Sequence, residues 1–195
     1  MFDLVCNEHR YTPKKGDKVL DLGAYFGFFS LFCACHGANV VAYEPDPDNY
    51  DRLLDATGRA REIGFGTIFP VKEAVWLYDG ILSLYREHHS GTSNVVANGE
   101  LRTQVKTASL HHALNEQKWD CVKMDIEGAE FPVLQNASDE DLKKIKYLSL
   151  ELHNHISNDP QPRYENLIAK LEPIFNLDLV EKRDGRFCKV FATLK

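Results

Sequence analysis

Short apolar runs and amphipathic stretches alternate along most of this chain. Apolar residues dominate positions 18–22 and 39–43, which predicts two strands, and residues 28–36 between them predict a helix. The same alternation returns at residues 120–126 and 147–153, where two more apolar runs predict further strands. Strands that alternate with helices are typical of a mainly parallel sheet with helices on both faces, so the predicted fold class is α/β.

β-Forming residues are also frequent in the middle of the chain and at its end. Residues 81–85 alternate apolar and polar side chains and predict an exposed strand, and residues 101–107 predict a short one. At the end, residues 177–181 and 187–193 flank the turn residues Arg-Asp-Gly-Arg at 183–186, which predicts an antiparallel hairpin. One strand of the sheet is therefore expected to run against the others.

Length and composition are those of an ordinary globular protein. We expect a single domain over residues 1–195, in which residues 1–17 form a short N-terminal extension. The formal charge of −6 suits a phosphate backbone poorly, so nucleic acid is not an expected partner. No apolar run is long enough to span a bilayer, which predicts no membrane insertion. Five cysteines without CxxC spacing, and an N-terminus unlike a signal peptide, predict a cytoplasmic protein.

The turn after the first predicted strand has the pattern of a nucleoside site. The strand ends near Asp21, and Gly23 and Gly27 follow in DxGxxxG spacing, where glycine permits a sharp turn or a close approach. The second strand ends at Glu44, the position from which an acidic residue accepts hydrogen bonds from both ribose hydroxyls. This βαβ unit predicts a cofactor that contains a nucleoside.

Tyr25 narrows the choice of cofactor. A dinucleotide motif carries glycine at this position, because a pyrophosphate lies against the backbone there. A bulky aromatic residue favours a ligand without a pyrophosphate, and its ring suits a cationic group. S-adenosylmethionine has an adenosine, a sulfonium and no phosphate, so it meets both conditions. Glu73, at the end of the third apolar run, is placed to reach the adenine amino group.

Two other functions would use the same elements. A Rossmann-type oxidoreductase that binds NAD(P) or a nucleotide sugar would use Glu44 equally well, although Tyr25 and the absence of a GxGxxG motif argue against it. A binding module without catalytic activity would keep the fold. The acidic residues that follow the later strands argue mildly against this second alternative.

A second motif supplies candidate catalytic residues. The apolar run at 120–126 leads into Asp125, Glu127 and Glu130, and the next strand ends at His153. Because the carboxyl ends of neighbouring parallel strands meet at one edge, His153 is expected near Asp125. Carboxylates this close repel one another unless a proton or a cation intervenes. Asp125, Glu127 and His153 are therefore candidate catalytic residues, as general bases or as ligands of Mg²⁺, and the sequence leaves both roles open.

With these motifs, the chain resembles the FkbM family of S-adenosylmethionine-dependent methyltransferases. The resemblance rests on VLDLGAYFG at 19–27, AYEPDP at 42–47 and VKMDIEGAE at 122–130, with a looser match at SGTS, 90–93. It implies a Rossmann-like class I methyltransferase sandwich. The implied sheet has seven mainly parallel strands, with one antiparallel strand from a C-terminal hairpin and helices on both faces.

The resemblance also implies roles for individual residues. Asp125 carries over as the acid beside the transferred methyl group. Family members commonly have asparagine where Tyr25 stands, so we expect different packing around the methionine part of the cofactor. The expected function is O-methylation of a hydroxyl group on a small molecule or a carbohydrate. The positions that carry over as cofactor-binding are Asp21, Gly23, Gly27 and Glu44.

Overall fold

A computed structural model describes residues 8–64, 66–86, 93–95, 100–153, 160–181 and 187–195. The hairpin turn predicted at 183–186 and most of the SGTS segment, residues 90–92, lie outside the described residues. The strands are β1 (Lys18–Leu22), β2 (Asn39–Tyr43), β3 (Thr67–Val71), β4 (Ala74–Trp76), β5 (Gly80–Arg86), β6 (Ser93–Asn94), β7 (Glu100–Ser109), β8 (Cys121–Met124), β9 (Tyr147–His153), β10 (Phe175–Glu181) and β11 (Phe187–Leu194). The helices are α1 (Phe28–Cys35), α2 (Pro47–Ile63), α3 (Leu110–Leu114), α4 (Glu130–Asn136), α5 (Asp139–Leu142) and α6 (Pro160–Leu171).

Seven strands form one sheet in the order β10-β11-β9-β8-β1-β2-β3. The pairs around β1 are parallel, and β11 runs antiparallel to both β9 and β10. This arrangement confirms the predicted α/β sandwich with one reversed strand near its C-terminal edge. Chain connections change direction between β1 and β8, and in such sheets a ligand binds at the carboxyl ends of the strands at that point.

A second, four-stranded sheet in the order β4-β7-β5-β6 is inserted between β3 and α3. Sequence patterns predicted strands in this region but no separate sheet. The pairing is non-local, since Ala74 in β4 lies opposite Thr107 in β7. A periodicity within five or six residues carries no information on a partner more than thirty positions away.

Apolar side chains cover both faces of the seven-stranded sheet. Along β1, Leu20 and Leu22 pack with the core beneath α3, α4 and α6, whereas Val19 packs with the core beneath α1 and α2. This alternation is the two-residue period of a strand, and it also places Asp21 on the α1 side. Among the helices of the described ranges, none has both the length and the apolar character needed to cross a membrane.

Gly27 lies just before the start of α1, where this helix packs closely against α2. Its φ is +77°, and a Cβ there would lie 2.7 Å from Leu53 Cδ1. We expect Gly27→Ala to lower the free energy of unfolding by about 2 kcal/mol or more, through overpacking and left-handed backbone strain. Gly58, in α2, is the control, because no atom lies within 4 Å of its added Cβ.

Gly58→Ala is expected to raise the free energy of unfolding by about 0.5–1 kcal/mol, because alanine favours a helix interior. Urea denaturation of both variants checks the pair. Equal effects of the two substitutions would contradict the close packing of Gly27.

Candidate functional site

An open cleft lies at the carboxyl ends of β1, β2 and β8, with strands of the inserted sheet along one side. It encloses about 820 Å³, including its mouth. Residues of β5 and β6, Leu84 and Ser93 among them, contribute to its wall, so the inserted sheet helps to form the cleft. The predicted site residues that line it are Gly23, Tyr25, Glu44, Glu73, Asp125 and Glu127.

Gly23 forms the tight turn at the floor of this cleft. Its φ is +80°, and a Cβ there would lie 1.8 Å from the backbone oxygen of Asp125. Its N–H donates to the Tyr43 carbonyl oxygen at 3.0 Å. The turn therefore contacts the strands on both sides of β1, and no residue other than glycine fits it without a backbone shift.

Tyr25 adopts a conformation that is uncommon for a residue with a side chain. Its φ is +53°, a left-handed value that costs on the order of 1–2 kcal/mol for most residues. Its backbone N–H donates to Glu44 Oε2 at 2.8 Å. Its ring stacks on Phe26 with centroids 3.7 Å apart and stays 45% exposed at the cleft.

Glu44 is the buried acid of the cleft, with only 4% of its surface exposed. Its carboxylate accepts hydrogen bonds from the N–H of Tyr25 at 2.8 Å, the N–H of Asp46 at 2.9 Å and the Asn49 amide at 3.3 Å. Burial raises the pKa of Glu44 to about 7, although these three donors act in the opposite direction. The carboxylate is thus oriented by the protein before any ligand arrives.

Asp46 connects the inserted sheet to the cleft. The sequence patterns predicted no role for this residue. It is fully buried and caps α2 by accepting the N–H of Asp48 at 2.9 Å. It also accepts the Ser93 hydroxyl at 2.7 Å. Arg102 Nε lies 2.7 Å from Asp46 Oδ2, an ion pair without the alignment of a hydrogen bond. The loop that orients Glu44 is therefore tied to β6 and β7.

Two predicted cofactor-binding residues, Asp21 and Gly27, do not line the cleft and lie behind its turn. Asp21 is fully buried and accepts the Ser30 hydroxyl at 2.6 Å. Gly27 packs against α2, so the close approach predicted there comes from a helix. Glu73 lies between β3 and β4 and faces the cleft, at the place predicted for it.

His153 lies near Asp125, as predicted, and inside a group of carboxylates. It is 4% exposed, and its Nδ1 lies 2.9 Å from Glu130 Oε1. Its Nε2 lies 3.4 Å from Glu127 Oε2 and 3.7 Å from Asp125 Oδ1. Burial opposes a charge on this ring, but the hydrogen bond to Glu130 and the other two carboxylates outweigh it and raise the pKa of His153 to about 9. The ring is therefore an imidazolium at neutral pH.

The donor atoms of this group do not suit Mg²⁺. Asp125, Glu130 and His153 bring one ligand atom each within 4.8 Å of one another. Glu130, however, accepts N–H groups from Ile126 at 2.8 Å and Gly128 at 3.0 Å in addition to its contact with His153. Mg²⁺ prefers an octahedron of oxygens, and this group offers one imidazole nitrogen and a carboxylate that already accepts two backbone N–H groups.

Lys123 is a further residue of the site, and the sequence patterns predicted no role for it. It lies within the apolar strand β8 and is 6% exposed. Its Nζ donates to the Gly23 carbonyl oxygen at 2.6 Å and lies 3.3 Å from Asp21 Oδ1. A charged residue within an apolar run was the available signal, because a buried lysine requires partners.

A sheet of this order, with a nucleoside-type cleft at its carboxyl edge, is the architecture of class I methyltransferases. Residues 21–180 match the family model described as the Methyltransferase FkbM domain. The chain therefore belongs to the FkbM methyltransferase family. This membership disfavours the oxidoreductase alternative.

The chain is also similar to several named proteins. The hexuronic acid methyltransferase AglP of Haloferax volcanii is 30% identical over 145 residues, which are 72% of this chain and 57% of that protein. Methyltransferase FkbM from Methylobacillus flagellatus KT has a TM-score of 0.63 at 15% identity, over 93% of this chain and 44% of that one. TrmK from M. capricolum, solved with S-adenosyl-homocysteine, has a TM-score of 0.55 at 9% identity, over 100% of this chain and 67% of that one.

At these identities the two solved structures show the fold. The chain spans about half the length of the first relatives that it matches.

The buried imidazolium predicts a specific pH dependence of stability. The pKa of His153 is about 9 in the folded protein, whereas an ordinary histidine in the unfolded chain has a pKa of 6.5. The protonated ring therefore stabilises the fold fully below pH 6.5, and this contribution is lost as the pH rises through 9. The free energy of unfolding of the wild type should exceed that of His153→Gln by a gap that shrinks by on the order of 3 kcal/mol over this range. Urea denaturation at several pH values measures the gap, and a pH-independent gap would contradict the imidazolium.

Proposed function

We propose that this chain is a single methyltransferase domain that transfers a methyl group from S-adenosylmethionine to an oxygen of a carbohydrate acceptor. Glu44 is the observation that carries this proposal. It is a buried, oriented carboxylate at the end of β2, where a ribose with two free hydroxyls is recognised. Membership of the FkbM family supports the same conclusion.

The cleft residues suggest how the cofactor is held. Glu44 accepts hydrogen bonds from the ribose hydroxyls, and Glu73 accepts one from the adenine amino group. Gly23 makes the tight turn that brings the end of β1 against Asp125 beside the cofactor, and the Tyr25 ring covers the methionine part. When bound, S-adenosylmethionine supplies an electrophilic methyl group on a sulfonium and leaves as S-adenosylhomocysteine.

The acids that follow β8 provide the remaining chemistry. Asp125 takes the proton of the acceptor hydroxyl as the new carbon–oxygen bond forms, directly or through water, and Glu127 is the alternative base. Sulfur keeps the electron pair of the broken carbon–sulfur bond. Because that leaving group is good, alignment of the acceptor supplies most of the rate.

We assign His153 a role other than the two that the sequence left open, general base and Mg²⁺ ligand. A ring already protonated at neutral pH does not accept a proton, so we assign His153 to positioning Asp125 and Glu127. The sequence left a role as Mg²⁺ ligands open for these residues, and the donor atoms of the group do not suit that ion. We therefore propose catalysis without a divalent metal, with Glu130 fixing the ring through its hydrogen bond.

The acceptor class rests on the relative from Haloferax volcanii, whose name states hexuronic acid as its substrate. A carbohydrate with free hydroxyls suits a base beside the cleft. The formal charge of −6 supports our expectation that the acceptor is not a nucleic acid. The pairing of the acids with His153 and Lys123 supports a catalytic protein over a binding module.

Cofactor binding tests the proposal without knowledge of the acceptor. Titration calorimetry with S-adenosylhomocysteine should show binding, whereas NAD should show none. Glu44→Gln is expected to weaken the affinity by about tenfold or more, because it removes charge-assisted hydrogen bonds to the ribose. Glu116→Gln, at an exposed position, is the matched control and should keep wild-type affinity. Equal affinities of the two variants would exclude Glu44 from the ribose site.

The pH dependence of binding provides a second prediction. Glu44 has a pKa of about 7, and only its ionised form accepts both ribose hydroxyls. Wild-type affinity for S-adenosylhomocysteine should therefore fall as the pH drops from 8 to 6, while Glu44→Gln should show a flat profile. Parallel profiles for the two proteins would contradict the role of this carboxylate.

Methyl transfer to a hexuronic acid and to a neutral hexose, each with and without EDTA, tests the acceptor and the metal. The account predicts product with at least one sugar and unchanged rates in EDTA. Loss of the rate in EDTA would refute metal-free catalysis. A cofactor-binding protein that methylates neither sugar would refute the acceptor class.

A further inference from the structure

We propose that Lys123 is a positioning residue, which holds the cofactor-binding turn at Gly23 and the carboxylate of Asp125 in a fixed relation. This inference rests on the proposed function. It assigns a role to a buried cation that the methyl-transfer chemistry does not itself use.

The position of Lys123 in the sheet places it between the elements that it connects. Its Cα lies opposite Asp21 in β1 and opposite Ser149 in β9. Its neighbours in β8, Val122 and Met124, pack in the core on the other face of the sheet. The lysine side chain therefore lies on the α1 side, together with Asp21.

Lys123 contacts three oxygen atoms, each on a different part of the site. Its Nζ donates to the Gly23 carbonyl oxygen at 2.6 Å. The same nitrogen lies 3.3 Å from Asp21 Oδ1 and 3.7 Å from Asp125 Oδ2. The contact with Gly23 is a hydrogen bond, and the contacts with the two carboxylates are ion pairs.

The charge on Lys123 is retained in spite of burial. Burial alone favours the neutral amine, but the carboxylates of Asp21 and Asp125 outweigh it and raise the pKa of Lys123 above its usual value. Asp21 is fully buried, and its other oxygen accepts only the Ser30 hydroxyl among the described contacts. The ammonium is therefore both the counter-ion of Asp21 and a donor to the turn.

The contacts of Gly23 and Asp125 explain why this donor matters. Gly23 already touches the Asp125 backbone, where an added Cβ would lie 1.8 Å from the carbonyl oxygen. The Asp125 carboxylate lies between two cations, with Oδ2 near Lys123 and Oδ1 near His153, each at 3.7 Å. Loss of the ammonium frees the Gly23 carbonyl to rotate and removes one of the two charges that orient Asp125.

A pair of variants separates positioning from charge neutralisation. Lys123→Met alone leaves Asp21 buried without its counter-ion, so it is expected to lower the melting temperature. The double variant Asp21→Asn/Lys123→Met removes both charges and should recover most of that loss. Asp21→Asn alone keeps the ammonium on Gly23 and Asp125, and Lys143→Met is the matched control at an exposed lysine.

The readout is the affinity for S-adenosylhomocysteine, measured by calorimetry on proteins whose melting temperatures are known. We expect the double variant to bind at least tenfold more weakly than Asp21→Asn, and Lys143→Met to bind like the wild type. If the double variant folds and binds as tightly as Asp21→Asn, Lys123 serves only to neutralise Asp21 and the proposal is overturned. If the wild type itself fails to bind, the proposed function is wrong.

Discussion

The carboxylate of Glu44 joins the two loops on which the rest of the cleft depends. It accepts the Tyr25 N–H from the turn after β1 and the Asp46 N–H from the turn after β2. Asp46 in turn accepts the Ser93 hydroxyl and forms an ion pair with Arg102, both in the inserted sheet. Glu44 and its neighbour Asp46 thereby connect the turn at the floor of the cleft to the inserted sheet in its wall. Burial raises the pKa of Glu44 to about 7. Its position is set before a ribose binds, which reduces the ordering required on binding.

Four other acids, Asp21, Asp125, Glu127 and Glu130, are buried or half-buried, and each lies close to Lys123 or His153. Lys123 lies between Asp21 and Asp125, and His153 between Glu130 and Asp125. In a low dielectric, an unpaired carboxylate is costly, so these cations determine where each acid can lie. The arrangement leaves Asp125 at the cleft with its two oxygens facing different cations. We see this as the physical basis for an acid that stays oriented toward a reacting group.

Local sequence patterns predicted a mainly parallel sheet with one reversed strand, because each strand and helix has its own apolar period. The number of seven strands was implied by the resemblance to the FkbM family. The patterns also placed Gly23, Glu44 and Asp125 at one edge, since parallel strands end together. They did not predict the inserted sheet, whose strands pair across long separations. Nor did they predict the protonation of His153 or the partners of Lys123, because both depend on burial and on charges contributed by other strands.

Crystals of the chain soaked with S-adenosylhomocysteine test the central claim most directly. The account predicts both ribose hydroxyls within hydrogen-bonding distance of the Glu44 carboxylate and the sulfur on the side of the cleft that Asp125 lines. A ribose bound away from Glu44, or a sulfur that faces the opposite wall, would contradict it.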